Sequence, residues 1–245
     1  IGVTKSIGNS IYHALQLKVE RRVGRGLSLL AAYTWSKSLS SADISTVGGG
    51  TYLGAVQNYF DQRSDRSPSV FDTRQRMSFA LIYDVPLFAK ASQAAVRTLL
   101  GGWQLATIVT EQAGFSAGLT TVGDTTGTGV SSRASVVAGQ ETNLPRGTRS
   151  RDRWFNIAAF TQTPLGRFGT ATRQPIYLPG LSQVDFSATK NFRFLESHSL
   201  QFRAEFFNFF NHVNLGAPGL DIRQPDRFGR ITSSSQTEGA TNDAR

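Results

Sequence analysis

Hydrophobic and polar residues alternate strictly along the segment 200–206, which reads LQFRAEF. A period of two is that of a β-strand, because successive side chains point to opposite faces of the sheet. One face of this predicted strand carries apolar side chains, the opposite face carries polar and charged ones, and the aromatic cluster FFNFFN follows from Phe206 to Asn211. A strand of a soluble sheet and a wall strand of a membrane barrel both have this pattern, so the other segments must distinguish the two.

Five further segments alternate in a similar way and predict an all-β, antiparallel fold. The segments 11–22 and 27–38 flank the tight turn VGRG, and this combination predicts a β-hairpin. Three more strands are predicted over 77–85, 103–112 and 183–194, and the last of these has Lys190 as an exception on its apolar face. The sequence ASQAAVRTLL, between the third and fourth strands, predicts a short helix.

The connections between the predicted strands alternate between short and long. Short or medium connections follow the first, third and fifth strands, whereas long segments without apolar periodicity cover about 39–74, 114–182 and 212–245. An outer-membrane barrel has this arrangement, since its periplasmic turns are short and its extracellular loops are long. A strand of about ten residues tilted near 40° also spans about 25 Å, the height of the apolar band of such a barrel. We therefore predict a fragment of a transmembrane β-barrel with about six long strands and long extracellular loops.

Aromatic residues lie near the ends of several predicted strands, where the two membrane interfaces would be. In a barrel such residues form belts at the level of the lipid head groups. Taken singly, each ring is equally well explained as a core or edge aromatic, so the joint pattern carries the prediction. The predicted interface residues are Tyr33 and Trp35 at the outer level, and Tyr83, Trp103, Phe192 and Phe194 at the inner level.

Charged residues occupy the polar face of the predicted strands. A bare charge on the lipid face costs about 2–4 kcal/mol near the middle of the bilayer, so these side chains are predicted to face the lumen. There they would form a hydrated ladder of cross-strand charge pairs, which we favour, or contact a plug domain or a passing substrate. The predicted lumen-facing residues are Lys18, Glu20, Asp185, Arg203 and Glu205.

The formal net charge of +9 is carried mostly by arginines spread over turns and loops. No recognised nucleic-acid motif gathers them, so we expect a solvated basic surface rather than a nucleic-acid partner. The basic outer loop from Arg133 to Arg173 is a candidate for binding lipopolysaccharide phosphates or an anionic substrate, because guanidinium groups bind phosphate in a bidentate geometry. The candidate residues are Arg146, Arg149, Arg151 and Arg153.

The sequence shows no constellation for catalysis or for a cofactor. His13, His198 and His212 lack metal-ligand spacing, and the chain has no cysteine. The glycine-rich GDTTGTG lacks the Lys-Ser/Thr end of a phosphate loop, and GxSxG does not occur. We therefore predict no enzyme activity, no metal site and no cofactor.

Three carboxylates in the first long loop could form a cation site, or their charges could be neutralised by nearby arginines. The segment 61–74 interleaves these acidic residues with three arginines, so we expect neutralisation. The acidic residues are Asp61, Asp65 and Asp72, and the arginines are Arg63, Arg66 and Arg74.

Five segments together resemble the C-terminal barrel of the Oar-like TonB-dependent receptors, which often carry an N-terminal carboxypeptidase-regulatory-like domain. The resemblance covers most of the chain outside the two long internal loops. The segments are LQLKVERRVGRGLSLLAAYTWSKSL, FDTRQRMSFALIYDVPL, GGWQLATIVTEQAGF, LSQVDFSATKNFRF, and LQFRAEFFNFFNHVNLGAPG followed by FGRITS.

The resemblance implies that 1–245 is the C-terminal portion of a 22-stranded barrel closed by an N-terminal plug. The plug, a TonB box and a final strand after FGRITS are not visible, and the N-terminal IGVTKSIGNS lacks the apolar region of a signal peptide. We therefore expect these parts, and any export signal, to lie outside this stretch.

The function implied by the resemblance is TonB-dependent uptake of a large nutrient across the cell outer membrane. The implied partners are outer-membrane lipid, lipopolysaccharide, the TonB complex through the missing N-terminal region, and an unidentified large substrate. A non-transporting outer-membrane barrel for adhesion or surface display is the first alternative, and a soluble β-sandwich binding module is the second.

Overall fold

The computed structural model describes residues 8–24, 26–42, 56–88, 90–121, 123–194 and 198–235. Its principal element is an antiparallel sheet in which six long strands follow one another in chain order. All six predicted strands are confirmed, and the helix predicted within 91–100 is present as α1 (Ala94–Leu100). The strands are β1 (Ser10–Val23), β2 (Leu27–Ser40), β3 (Gln75–Asp84), β4 (Trp103–Gln112), β5 (Leu181–Phe194) and β6 (His198–Phe206).

The predicted hairpin of β1 and β2 pairs along its whole length, from Ser10 opposite Ser40 to Val23 opposite Leu27. Its turn uses Gly26 with a φ of 77°, in the left-handed region that favours glycine. The carbonyl of Gly26 also accepts a 2.8 Å hydrogen bond from the amide of Asp84, and a Cβ at Gly26 would lie 2.6 Å from the Cβ of Asp84. Glycine is therefore required both by the turn and by the close approach of β3.

The register aligns like residues across the sheet, so that the strands share one apolar and one polar face. One row across five strands contains Val19, Ala31, Phe79, Val109 and Val184, and the adjacent row contains Lys18, Ala32, Ser78, Thr110 and Gln183. On β1 no second layer of the described chain covers the apolar face, where Leu15 is 50% exposed and Val19 is 57% exposed. This differs from a β-sandwich, which buries its inner faces against each other.

The connections confirm the predicted alternation. The turns after β1, β3 and β5 lie at one end of the sheet, and the long segments after β2, β4 and β6 lie at the other, because neighbouring strands are antiparallel. We call these the turn end and the loop end. No helix among the described residues is long and apolar enough to cross a membrane.

Lys190, the exception on the apolar face of β5, is covered at the turn end by the connection between β3 and β4. It is 3% exposed, and its ammonium donates a hydrogen bond to the carbonyl of Gly101, directly after α1. Its Nζ also lies 5.6 Å from the ring centroid of Trp103 and 5.1 Å from that of Phe192. The charge is thus buried with a carbonyl and two aromatic faces as partners, which offsets its desolvation.

The long segments pack together at the loop end into what we call the loop body, made of the described parts of 41–74, 113–180 and 207–235. Its core contains the buried aromatic residues Phe155, Phe160 and Phe228, with ring centroids 5.1 to 6.4 Å apart. Among the described residues, all the buried hydrophobic side chains lie in this body and none in the long strands. Sequence periodicity did not predict this shared core, because the loops that form it are aperiodic.

The loop body contains little regular structure. Two-residue strands form two antiparallel pairs, Ser116–Ala117 with Ile176–Tyr177 and Ser135–Val136 with Phe160–Thr161. A further short strand, Ser67–Pro68, pairs with the end of β2. Three 3-10 helices complete the described elements: Gln62–Asp65, Arg146–Thr148 and Ile157–Ala159.

The aromatic cluster FFNFFN begins inside β6 and continues beyond it. β6 ends at Phe206, and the next residues form a turn in which Asn208 and Asn211 have φ values of 49° and 50°. Asparagine tolerates this left-handed conformation better than most residues. The asparagines therefore shape the turn, and the rings of Phe207 and Phe210 remain exposed.

Candidate functional site

The five charged residues that were predicted to face the lumen all lie on the polar face of the sheet. Lys18 and Glu20 occupy alternate positions of β1, and Arg203 and Glu205 occupy alternate positions of β6. Asp185 lies opposite Ile108, in the polar row of β4. The charges are concentrated on the strands near the two edges of the sheet, since Leu30, Ala80 and Ile108 occupy the row between Glu20 and Asp185.

Among the described residues, the ion pairs at these charges run along the strands, so the predicted ladder of cross-strand charge pairs does not form within this sheet. Nζ of Lys18 lies 3.3 Å from Glu20, and a guanidinium nitrogen of Arg203 lies 3.6 Å from Glu205. The residues directly opposite these charges are Ala32, Leu30, Thr189 and Ser187, which cannot form ion pairs. Side chains two residues apart share a face, which explains why each charge finds its partner on its own strand.

Asp185 fixes the turn after β6. Its Oδ1 accepts a 2.9 Å hydrogen bond from the backbone amide of Asn208, and both carboxylate oxygens accept bonds from Nε2 of Gln183. This structural use was not visible in the sequence, because Asn208 follows Asp185 by more than twenty residues.

The six predicted interface aromatics all occupy apolar-face positions in the register. Tyr33 lies opposite Leu17 and Met77 toward the loop end, whereas Tyr83 lies opposite Leu27 near the turn end. Trp103 also lies at the turn end, where its ring packs edge-on against Phe202 with centroids 5.9 Å apart. Trp35 lies two positions from Tyr33 toward the loop end, and Phe192 lies beside Lys190 and Trp103 at the turn end. The side chain of Phe194 lies outside the described part of the structure.

Two of the three carboxylates predicted to be neutralised in the first long loop, Asp65 and Asp72, have arginine partners. Oδ1 of Asp65 lies 2.9 Å from Nη2 of Arg133, so the pair joins two loops, and burial raises the pKa of Asp65 while the guanidinium opposes this rise. The described residues contain no group of three His, Cys, Asp or Glu side chains able to hold a metal ion.

Asp72 joins β2 to the loop body and is fully buried. Its Oδ1 accepts a 2.6 Å hydrogen bond from the amide of Ser38, and its Oδ2 accepts a 2.9 Å bond from the hydroxyl of Tyr177. Nε of Arg74 lies 3.5 Å from the same Oδ2. Burial, and then the bond to Asp72, raise the pKa of Tyr177.

The arginines of the basic loop do not form one patch. Arg133 is held by Asp65 within the loop body, and Nη2 of Arg173 donates a 3.0 Å hydrogen bond to the carbonyl of Ser40, the last residue of β2. Arg151 and Arg153 are exposed at the surface of the loop body. Only two of the four candidate residues, Arg146 and Arg149, line a cleft between the loop body and the sheet.

This cleft, which we call the rim cleft, has a volume of about 600 Å³ and lies between the loop body and the loop end of the apolar face. Tyr33, Met77 and Glu111 line it from the sheet, and they occupy adjacent apolar-face positions of β2, β3 and β4. The loop body contributes Arg146, Arg149, Trp154 and Tyr177.

The ring of Trp154 and the carbonyl of Leu144 hold Arg149 in place. Its guanidinium carbon lies 5.5 Å from the centroid of Trp154, and its Nε donates a 2.8 Å hydrogen bond to the carbonyl of Leu144. Nε1 of Trp154 in turn donates a 2.8 Å bond to the carbonyl of Tyr177. The arginines were candidates from the sequence, but the cleft was not foreseen, because most of its lining comes from distant or aperiodic segments.

A family model described as "Outer membrane beta barrel domain" matches residues 1–245. The matched span includes the six strands and the loop body alike. No curated protein and no solved structure matches the chain.

Proposed function

We propose, from the premise that this chain belongs to the family of outer membrane β-barrel domains, that it forms wall strands and outer loops of a barrel for TonB-dependent uptake of a large nutrient. The observation that carries this proposal is the division of the sheet into one uncovered apolar face and one charged face. In a transport barrel the first face contacts lipid and the second lines a hydrated lumen.

The lumen-facing role of the five charged residues follows from the same assignment. The ion pairs at Glu20 and Glu205 leave all four partners at least 46% exposed, which suits a hydrated wall and not a dry core. The aromatic positions at the two ends of the apolar face would then lie at the levels of the head groups. On this assignment the turn end faces the periplasm and the loop end faces the outside.

The six strands would form part of a wider wall. Within the described chain, β1 and β6 each pair along one edge only. An open strand edge is unfavourable in the hydrocarbon region, because its backbone amides and carbonyls have no water to bind. Further strands at both edges would complete the barrel, in agreement with the 22-stranded barrel that the resemblance implies.

The two alternatives differ in how well they fit the fold. A soluble β-sandwich would have to cover an apolar face on which Leu15, Leu17 and Val19 are each at least 50% exposed. Adhesion or surface display is consistent with a loop body that has its own core, and it uses the same barrel without uptake. TonB dependence separates adhesion or display from transport.

The experiment uses the full-length protein in Gram-negative cells. Fractionation first checks that it reaches the outer membrane, and the detergent-extracted protein is then tested for binding to the periplasmic domain of TonB. Uptake of labelled peptide and oligosaccharide mixtures is compared between cells with and without TonB. We expect TonB binding, and uptake that stops when TonB is deleted. A membrane-inserted protein that neither binds TonB nor changes any uptake would instead favour adhesion or display.

A further inference from the structure

The rim cleft combines an apolar floor with a basic roof. Tyr33 and Met77 form part of the floor, and the apolar face continues below them through Ala31 and Phe79 in the next row of the register. Arg146 and Arg149 line the cleft from the loop body. An amphipathic molecule with an anionic head and apolar chains would match both surfaces.

The two arginines have no acidic partner among the described residues. Neither guanidinium takes part in an ion pair, although arginines elsewhere in the loop body are paired with aspartates. Arg149 uses Nε for the carbonyl of Leu144, and the described residues supply no hydrogen bond to its two Nη atoms. The cleft therefore offers unused guanidinium donors at a partly buried position, where a charge-assisted bond is strong.

The charges around Arg149 favour an added anion. Burial lowers its pKa, and the neighbouring positive charge of Arg146 lowers it further. Glu111, the acidic residue of the lining, accepts a 2.6 Å hydrogen bond from the hydroxyl of Ser182, and Arg74 lies beside Asp72. Glu111 thus shares one oxygen with a neutral hydroxyl and Arg74 is paired with a carboxylate, whereas neither Arg146 nor Arg149 has an anionic partner among the described residues.

The position of the cleft distinguishes a lipid from a transported solute. Its sheet residues Tyr33, Met77 and Glu111 lie on the apolar face, opposite to the polar face along which a solute would pass. Met77 and Glu111 also lie within two residues of the loop ends of their strands, at the level proposed for the outer head groups, and Tyr33 lies beside Met77 in the register. A ligand there would approach from the membrane side.

We propose that the rim cleft binds the phosphorylated head group of an outer-leaflet glycolipid, with Arg146 and Arg149 contacting phosphate and the acyl chains lying along the apolar face below Tyr33. This inference rests on the proposed function, because it takes the apolar face as the face in contact with lipid. It adds a specific lipid site on the outer rim, separate from the path of the nutrient.

The test measures binding of bis-phosphorylated lipid A to the full-length protein in detergent by native mass spectrometry. The variant Arg146→Gln/Arg149→Gln is compared with Arg167→Gln/Arg227→Gln, which removes the same charge from exposed arginines of the loop body that do not line the cleft. We expect the first variant to bind lipid A at least about tenfold more weakly than the wild type, and the control to bind like the wild type. Lipid A without its phosphates should bind all three proteins equally weakly.

Two results would overturn the lipid site. Equal weakening in both variants would mean that total charge, and not the cleft, attracts the lipid. Competition by inorganic phosphate or a sugar phosphate at the same concentration as lipid A would indicate a site for a soluble anion. Outer-membrane fractionation of the wild type and the variants tests the barrel proposal independently of the lipid site. Failure of the wild type to reach the membrane would contradict the barrel proposal as well as the lipid site.

Discussion

The ammonium of Lys190, on the apolar face of β5, donates a hydrogen bond to the backbone carbonyl of Gly101, directly after helix α1. One lysine thus joins the turn-end connection to the sheet, with Trp103 and Phe192 beside it. The contact explains how a full charge is accommodated in an otherwise apolar row. It also gives α1, whose residues are mostly exposed, a fixed attachment to the barrel wall.

Replacing Lys190 by alanine should destabilise the protein. The substitution leaves the carbonyl of Gly101 without its partner and opens a cavity beside two rings, so we expect a loss of about 2–3 kcal/mol in the free energy of unfolding. Urea unfolding of the full-length protein in detergent, followed by tryptophan fluorescence, measures the change. The control is Lys37→Ala, an exposed lysine on β2, which should change the free energy by less than about 0.5 kcal/mol. Similar losses in both variants would mean that the Gly101 contact contributes nothing specific.

The assignment of the two faces is tested by placing the same charge on each of two adjacent residues. Phe202 lies on the apolar face against Trp103, and Gln201 lies on the polar face, where its Nε2 donates a hydrogen bond to Asn191. Phe202→Arg should cost about 2 kcal/mol in the membrane, whereas Gln201→Arg should cost little. The measurement is the fraction of full-length protein recovered folded in the outer membrane. If the two variants assemble equally well, the faces have been assigned the wrong way or the sheet does not contact lipid.

Alkaline pH should loosen the loop body through Tyr177. Burial and the bond to Asp72 raise its pKa above the ordinary value of 10.0. The folded state therefore holds the phenolic proton more tightly than the unfolded chain does. The resulting stability is fully present below the unfolded pKa and is lost as pH rises through the folded pKa. We expect Tyr177→Phe to abolish this part of the pH dependence.

The readout for Tyr177 is the fluorescence of Trp154, whose Nε1 donates to the carbonyl of Tyr177, in a background carrying W35F and W103F. At neutral pH, Tyr177→Phe should also lower the stability of the loop body by about 1 kcal/mol, because one hydrogen bond of Asp72 is lost. Tyr12→Phe, at an exposed position of β1, serves as the control and should retain the alkaline transition of the wild type. An identical transition in the Tyr177→Phe protein would show that this hydroxyl does not control it.

Period-two alternation was sufficient to predict the six strands, their faces and the end of the sheet at which each connection lies. This information is local, because a side chain's face depends only on whether its position in the strand is odd or even. The hairpin register also followed from the short turn. The positions of Lys18, Glu20, Arg203 and Glu205 on one surface are a direct consequence.

The ion-pair partner of each charged residue was harder to predict than the face of the sheet on which the residue lies. The expected cross-strand charge pairs required knowledge of the residue directly opposite each charge, and those residues proved to be Ala32, Leu30, Thr189 and Ser187. Likewise, the sequence indicated one group of loop arginines, whereas the structure places them at separate positions with different contacts. Arg133 pairs with Asp65, and Arg173 donates a hydrogen bond to the carbonyl of Ser40. Arg146 and Arg149 instead line the rim cleft.

The sequence by itself determined a two-faced antiparallel sheet with its long connections at one end, because each of those properties is repeated along the chain in a regular period. Only the tertiary structure decided that the long connections share a core, that Asp65 and Arg133 pair, and that a basic cleft opens above the apolar face. These features bring together residues far apart in aperiodic segments, and no local rule relates such residues before the chain has folded.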